Sequence, residues 1–98
     1  MRIIAGPCQH ETLAQSAAIA KECKRVCDKY DIEYIFKASF DKANRTSANG
    51  KRGVGIGPTL ADFETIKSEY KVRTLTDVHT ENQVSLIKNV YSSSVDIL

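Results

Sequence analysis

Apolar and polar positions along this chain switch between a two-residue and a 3.6-residue period in a regular order. Arg2-Ile3-Ile4-Ala5 reads as a short buried strand that breaks at Gly6-Pro7. From Thr12 the period becomes helical: Leu13, Ala17, Ala20, Cys23, Cys27 and Tyr30 fall on one stripe, and Lys21, Glu22, Lys24, Arg25, Asp28 and Lys29 fill the opposite face. Thr12 and Gln15 form a capping box at its start. Glu33-Tyr34-Ile35-Phe36-Lys37 restores strand character. A long connection punctuated by Gly50, Gly53, Gly55, Gly57 and Pro58 follows, and its length marks it as a functional loop rather than a simple turn. Thr59 is expected to cap a second helix with Leu60, Phe63, Ile66 and Tyr70 on its apolar face. Val72-Arg73-Thr74-Leu75-Thr76 predicts a third strand. Thr80 and Gln83 make another capping box, and Val84, Ile87 and Tyr91 mark a third helix. Val95-Asp96-Ile97-Leu98 begins a fourth strand.

The order β-α-β-α-β-α-β predicts an α/β fold whose parallel strands are joined by right-handed crossovers. Four strands and three helices make either half of an eight-stranded βα barrel or a small open sheet, and the pattern alone does not choose. Residues 1–98 read as part of a single domain, with no repeat or low-complexity segment.

A makeup of 42% hydrophobic and 27% charged residues is that of an ordinary globular protein. The apolar runs are far shorter than the roughly 20 residues that span a bilayer, and Met1-Arg2-Ile3-Ile4-Ala5 lacks the apolar region of a secretory signal, so the cytoplasm is the expected compartment. A net charge of +2, gathered around one loop, suits small anionic metabolites and gives no reason to expect nucleic acid or membrane as a partner. Three cysteines without a secretory signal are expected to be thiols. Cys23 and Cys27 stand four apart on a helix, a spacing open to a metal but better read as core packing, since no His or carboxylate pair accompanies them.

The densest chemistry follows the second strand, in Lys37-Ala38-Ser39-Phe40-Asp41-Lys42-Ala43-Asn44-Arg45-Thr46-Ser47. Arg45 offers a planar two-pronged fork, Lys42 a compact charge, and Asn44, Thr46 and Ser47 directional hydrogen bonds, which together outline a phosphate pocket. The alternative is a polar loop that is simply wet. Position at a strand's carboxyl end, where α/β proteins place their sites, favours the pocket. The spacing of Gly53, Gly55 and Gly57 is not the dinucleotide fingerprint. Asp77 and His79 alternate across Val78 at the end of the third strand, so both point to one side and are within reach of a barrel mouth; the competing reading is helix capping by Asp77 beside a loop His79. His10 is expected at the surface.

The string KASFDKANRTS, with the opening IAGPC and the later LTDVH, resembles 3-deoxy-8-phosphooctulonate synthase, the KDO 8-phosphate synthase family. The resemblance covers essentially all of the chain and matches the amino-terminal portion of a longer (β/α)8 TIM barrel. It implies condensation of phosphoenolpyruvate with arabinose 5-phosphate, which yields 3-deoxy-D-manno-octulosonate 8-phosphate and phosphate on the route to lipopolysaccharide. In the metal-dependent members the cysteine of the strand-one motif binds a divalent ion, and the matching residue is Cys8; the family's other ligands, a His, a Glu and an Asp, come from the second half of the barrel. The resemblance also implies that Lys37 and Lys42 line the phosphoenolpyruvate side and the reacting carbonyl, with Ser39 nearby. Asn44, Arg45 and Thr46 would hold arabinose 5-phosphate, Arg52 is retained, and Asp77 and His79 belong to the sugar and metal neighbourhood.

The chain departs from the family pattern at Thr46, where serine is usual, and at Ala48-Asn49-Gly50-Lys51, which replaces a more apolar, His-containing segment. Read as half of a barrel, the chain stops within its fourth strand and leaves two unpaired edges, so a homo-oligomer or pairing with a second half-barrel is expected. No turnover is expected from the 98 residues by themselves, because the resemblance places the remaining metal ligands and several phosphate-binding groups outside them. A truncated phosphate-binding or assembly module, and a related phosphoenolpyruvate-aldose synthase, are the alternative functions.

Overall fold

A computed structural model describes residues 1–40 and 56–98. The strands β1 (Arg2–Ala5), β2 (Glu33–Lys37) and β3 (Arg73–Leu75) alternate with the helices α1 (Leu13–Lys29), α2 (Ile56–Tyr70) and α3 (Glu81–Val90). The sheet is parallel in the order β1-β2-β3, with Ala5 opposite Phe36 and Lys37 opposite Leu75. The alternating α/β order is therefore the one expected, and consecutive strands are neighbours.

The expected fourth strand is reduced to a single bridge between Leu75 and Ile97. The Thr74 N–H, which a longer ladder would give to a backbone carbonyl, goes instead to the Asp96 carboxylate at 2.9 Å. The Thr74 carbonyl still accepts from the N–H of Ile97 at 3.0 Å, so the segment lies along β3 without continuing the ladder.

One face of the sheet carries Tyr34, Phe36 and Ala38 into a core completed by Ala20 and Cys27 of α1 and by Leu60, Phe63 and Ile66 of α2. Phe36 meets Phe63 edge to face at 5.3 Å, the geometry that the ring quadrupoles favour. Cys23 packs against this cluster beside the buried Cys27, and all three cysteines are free.

Helix boundaries follow local chemistry. Thr12 caps α1 by accepting the Gln15 N–H at 3.1 Å, as its capping box predicts. The far end closes in a Schellman turn, in which Ile32 N–H reaches the Cys27 carbonyl at 2.8 Å and Asp31 takes φ 56°. Tyr30 thereby falls beyond the helix and is exposed, and Ser16 takes the buried place on the stripe instead. The cap expected at Thr59 is corrected: α2 begins at Ile56 and Thr59 lies fully buried inside it. Pro58 is tolerated there because a first-turn residue has no intrahelical use for its N–H. β1 also departs from expectation. Its apolar residues are not buried, with Ile4 51% exposed, because β1 is the sheet's edge among the described residues.

Candidate functional site

The carboxyl ends of the three strands lie at one edge of the sheet, and the candidate residues within the described part gather there. Just beyond β1, a Cβ added at Gly6 would stand 1.9 Å from the Lys37 carbonyl oxygen, so only glycine lets the backbones pass so closely. The chain then re-pairs one residue out of step: Ala5 is opposite Phe36, yet Gln9 bridges Ser39. Ser39 N–H donates to the Cys8 carbonyl at 3.2 Å, and His10 N–H donates to the Ser39 carbonyl at 2.9 Å. This short pairing puts Cys8, an exposed residue, beside the end of β2, where Lys37 is exposed and Ser39 buried.

The end of β3 is tied to the same edge by Thr76, whose buried hydroxyl donates to the Ala38 carbonyl at 2.9 Å. Beyond it His79 Nε2 lies 3.2 Å from Asp77 Oδ2, so the two residues that alternate across Val78 do meet on one side. Asp77 does not cap α3. That role falls to Thr80, which accepts the Gln83 N–H at 3.1 Å, while Gln83 Oε1 accepts the His79 N–H at 2.7 Å. Among the described residues, Asp77 Oδ1 and Gln9 Oε1 are buried acceptors without a hydrogen-bond partner. An acceptor left so costs stability unless a ligand or further chain supplies a donor.

Lys42, Asn44, Arg45, Thr46 and Arg52 lie outside the described residues. Among the described residues, no group of three or more His, Cys, Asp and Glu side chains is placed to hold a metal ion. Cys8 has the free, exposed thiol that one ligand requires, and the rest of a coordination shell would come from elsewhere. A shallow depression on α2, lined by Ala61, Glu64, Thr65, Ser68 and Glu69, carries two carboxylates and so has the wrong sign for a phosphate.

His10 is the chief correction. Expected at the surface, it is fully buried, with Nδ1 2.7 Å from Ser16 Oγ and Nε2 2.7 Å from Asp62 Oδ2. Its ring also meets Phe63 edge-on at 6.3 Å. The set is not a hydrolytic triad. The serine sits on Nδ1 and the carboxylate on Nε2, the reverse of the arrangement that activates a serine, and Ser16 is fully buried from any substrate. No local pattern announces this cluster, because Asp62 is 52 residues away on a different helix.

A model of the DAHP synthetase I family matches residues 1–95. Among curated proteins, the chain is 43% identical over 96 residues to the 2-dehydro-3-deoxyphosphooctonate aldolase of Agrobacterium fabrum, covering 98% of this chain and 33% of that protein. It is 42% identical over 98 residues to the protein of the same name from Bartonella tribocorum, covering 100% of this chain and 34% of the relative. A third, from Rhizobium meliloti, is 41% identical over the same span and shares. The chain thus spans about a third of the length of the curated relatives it matches. With the family match running over nearly its whole length, this chain belongs to the DAHP synthetase I family.

Proposed function

We propose that this chain forms the first strands and helices of a (β/α)8-barrel synthase that condenses phosphoenolpyruvate with arabinose 5-phosphate. The observation that carries the reading is the likeness, across the whole chain, to proteins named 2-dehydro-3-deoxyphosphooctonate aldolase, whose eight-carbon acid corresponds to the joining of a three-carbon and a five-carbon substrate. Three parallel strands with their candidate polar residues at the carboxyl ends support it, since βα barrels build their sites at that face.

In this reading the third carbon of phosphoenolpyruvate attacks the aldehyde carbon of the sugar phosphate, and the aldehyde oxygen takes up a proton. Water adds at the second carbon, and inorganic phosphate leaves from it. Lys37, with Lys42, offsets the charge of the two anions and of the developing alkoxide, an electrostatic contribution that is usually the largest in such sites. Ser39 hydrogen-bonds on the phosphoenolpyruvate side. Asn44, Arg45, Thr46 and Arg52 hold the sugar phosphate, and Asp77 accepts from its hydroxyls while His79, 3.2 Å away, orients that carboxylate or a water. Cys8 contributes one ligand to a divalent cation, which would supply Lewis acidity or orient the attacking water. The cytoplasm is the compartment we assign, and association with a second copy or a further half-barrel would cover Ile3 and Ile4 on the β1 edge. No helix among the described residues is long and apolar enough to cross a membrane.

The test is substrate choice by the native polypeptide that carries this sequence. Phosphate release should require both phosphoenolpyruvate and arabinose 5-phosphate, and Lys37→Ala should lower kcat/KM by at least about a hundredfold, the scale of losing one charge-stabilising group. Release with a four-carbon aldose phosphate but not the five-carbon one would move the assignment to a heptulosonate synthase.

A further inference from the structure

We propose that His10 is a positioning residue: through Ser16 and Asp62 it holds the Cys8–His10 segment in register with Ser39, and so fixes where the Cys8 thiol and the Ser39 hydroxyl stand. Its bearing on catalysis rests on the synthase reading above; its bearing on register does not. The segment needs such a hold. The β1 ladder ends at Ala5, Pro7 has no N–H to give, and among the described residues the re-paired stretch is tied to the chain just past β2 by two backbone hydrogen bonds, both to Ser39. A one-residue slip between parallel strands turns side chains to the opposite face, so register here decides which groups the site contains.

His10 supplies the hold through both its backbone and its ring. Its backbone N–H is one of the two bonds to Ser39, and its fully buried ring spans from α1 at Ser16 to α2 at Asp62, each at 2.7 Å. Each ring nitrogen thus has a polar partner on a different helix, and the Ser16 hydroxyl can turn to suit Nδ1. The two bonds then fix the ring's rotation as well as its place, and Phe63 closes it edge-on. A buried apolar residue would fill the same space without choosing an orientation, whereas a satisfied polar network specifies one.

The experiment separates holding register from merely filling the core, using the native polypeptide. The triple variant H10L/S16A/D62L replaces every polar member by an apolar one, a change that leaves no member of the network unpaired and so is expected to fold with near-native thermal stability. We expect the Ser39 amide, bonded to the Cys8 carbonyl, to exchange its hydrogen about tenfold faster or more in this variant, with the Ile35 amide unchanged. We also expect kcat to fall by about tenfold or more with little change in KM for phosphoenolpyruvate, the scale seen when the support of a site residue is lost. H10Q, whose carboxamide can still donate to Asp62, should recover part of both effects relative to H10L. The comparison of those two single variants decides the matter if the triple variant fails to fold. Unchanged Ser39 exchange in a folded variant overturns the proposal, as does faster exchange with undiminished kcat. If the unmutated polypeptide shows no turnover with either sugar phosphate, the synthase reading fails, and Ser39 exchange alone still decides whether His10 sets the register.

Discussion

A side chain at position 6 would drive its Cβ to 1.9 Å from the Lys37 carbonyl oxygen, a backbone atom that cannot step aside. Gly6→Ala should therefore destabilise the fold by about 1–3 kcal/mol, the usual cost of overpacking, as measured by denaturant unfolding. A variant as stable as the parent would show that the close crossing of β1 and β2 is wrong. Cysteine reactivity tests the same region: Cys8 is exposed, Cys23 partly covered and Cys27 buried, so iodoacetamide should label them in that order when the sites are mapped by mass. At this scale the sequence was legible where chemistry is local. Gly6-Pro7 announces a break, and Thr12 and Thr80 announce caps that both form. His10 was not legible, since its burial depends on Ser16 and Asp62 arriving from two separate helices.

Elements were readable from period, and their ends from caps, except where a residue's usual role was overridden. Thr59 has the makeup of a cap, but Pro58 ahead of it fits the first turn equally well, so α2 starts earlier and buries Thr59. Two helix exits instead show residues placed against their preference. Asp31 and Lys71 take φ of 56° and 57° just past α1 and α2, in the left-handed region where a β-carbon is costly. Lys71→Gly should therefore stabilise the protein by about 0.5–1 kcal/mol in denaturant unfolding, and a loss of stability would refute this account of the exit. At α3 the sign reverses: Thr80→Ala removes the acceptor of the Gln83 N–H and should cost about 1 kcal/mol.

Across the whole molecule, the parallel β1-β2-β3 order followed from alternating periods and the handedness of crossovers, and the sheet edge that gathers Cys8, Lys37, Ser39, Asp77 and His79 followed with it. The exposure of β1 and the weak fourth strand did not, because both depend on what lies beside a strand rather than within it. Asp96 is the clasp at that end. Burial opposes its ionisation, but hydrogen bonds from Lys67 Nζ and the Thr74 N–H, with the charges of Lys67 and Arg73, outweigh this and hold its carboxyl below its ordinary value. A carboxyl depressed on folding contributes stability that is present above its unfolded pKa, near 3.9, and is lost as pH falls through the lower folded value. Thermal stability should thus drop on acidification through about pH 4 and below, and Asp96→Asn should make that drop shallower; an unaltered acid profile would remove Asp96 from the account.

If these strands open the active site of an octulosonate-type synthase, as we propose, the products formed by the native polypeptide will identify it. The native polypeptide carrying this sequence would be given phosphoenolpyruvate with arabinose 5-phosphate, and the products weighed by mass spectrometry. Inorganic phosphate should appear together with a new eight-carbon sugar-acid phosphate, in equal amounts. Consumption of neither substrate, or an acid built only from a four-carbon partner, would contradict the proposal.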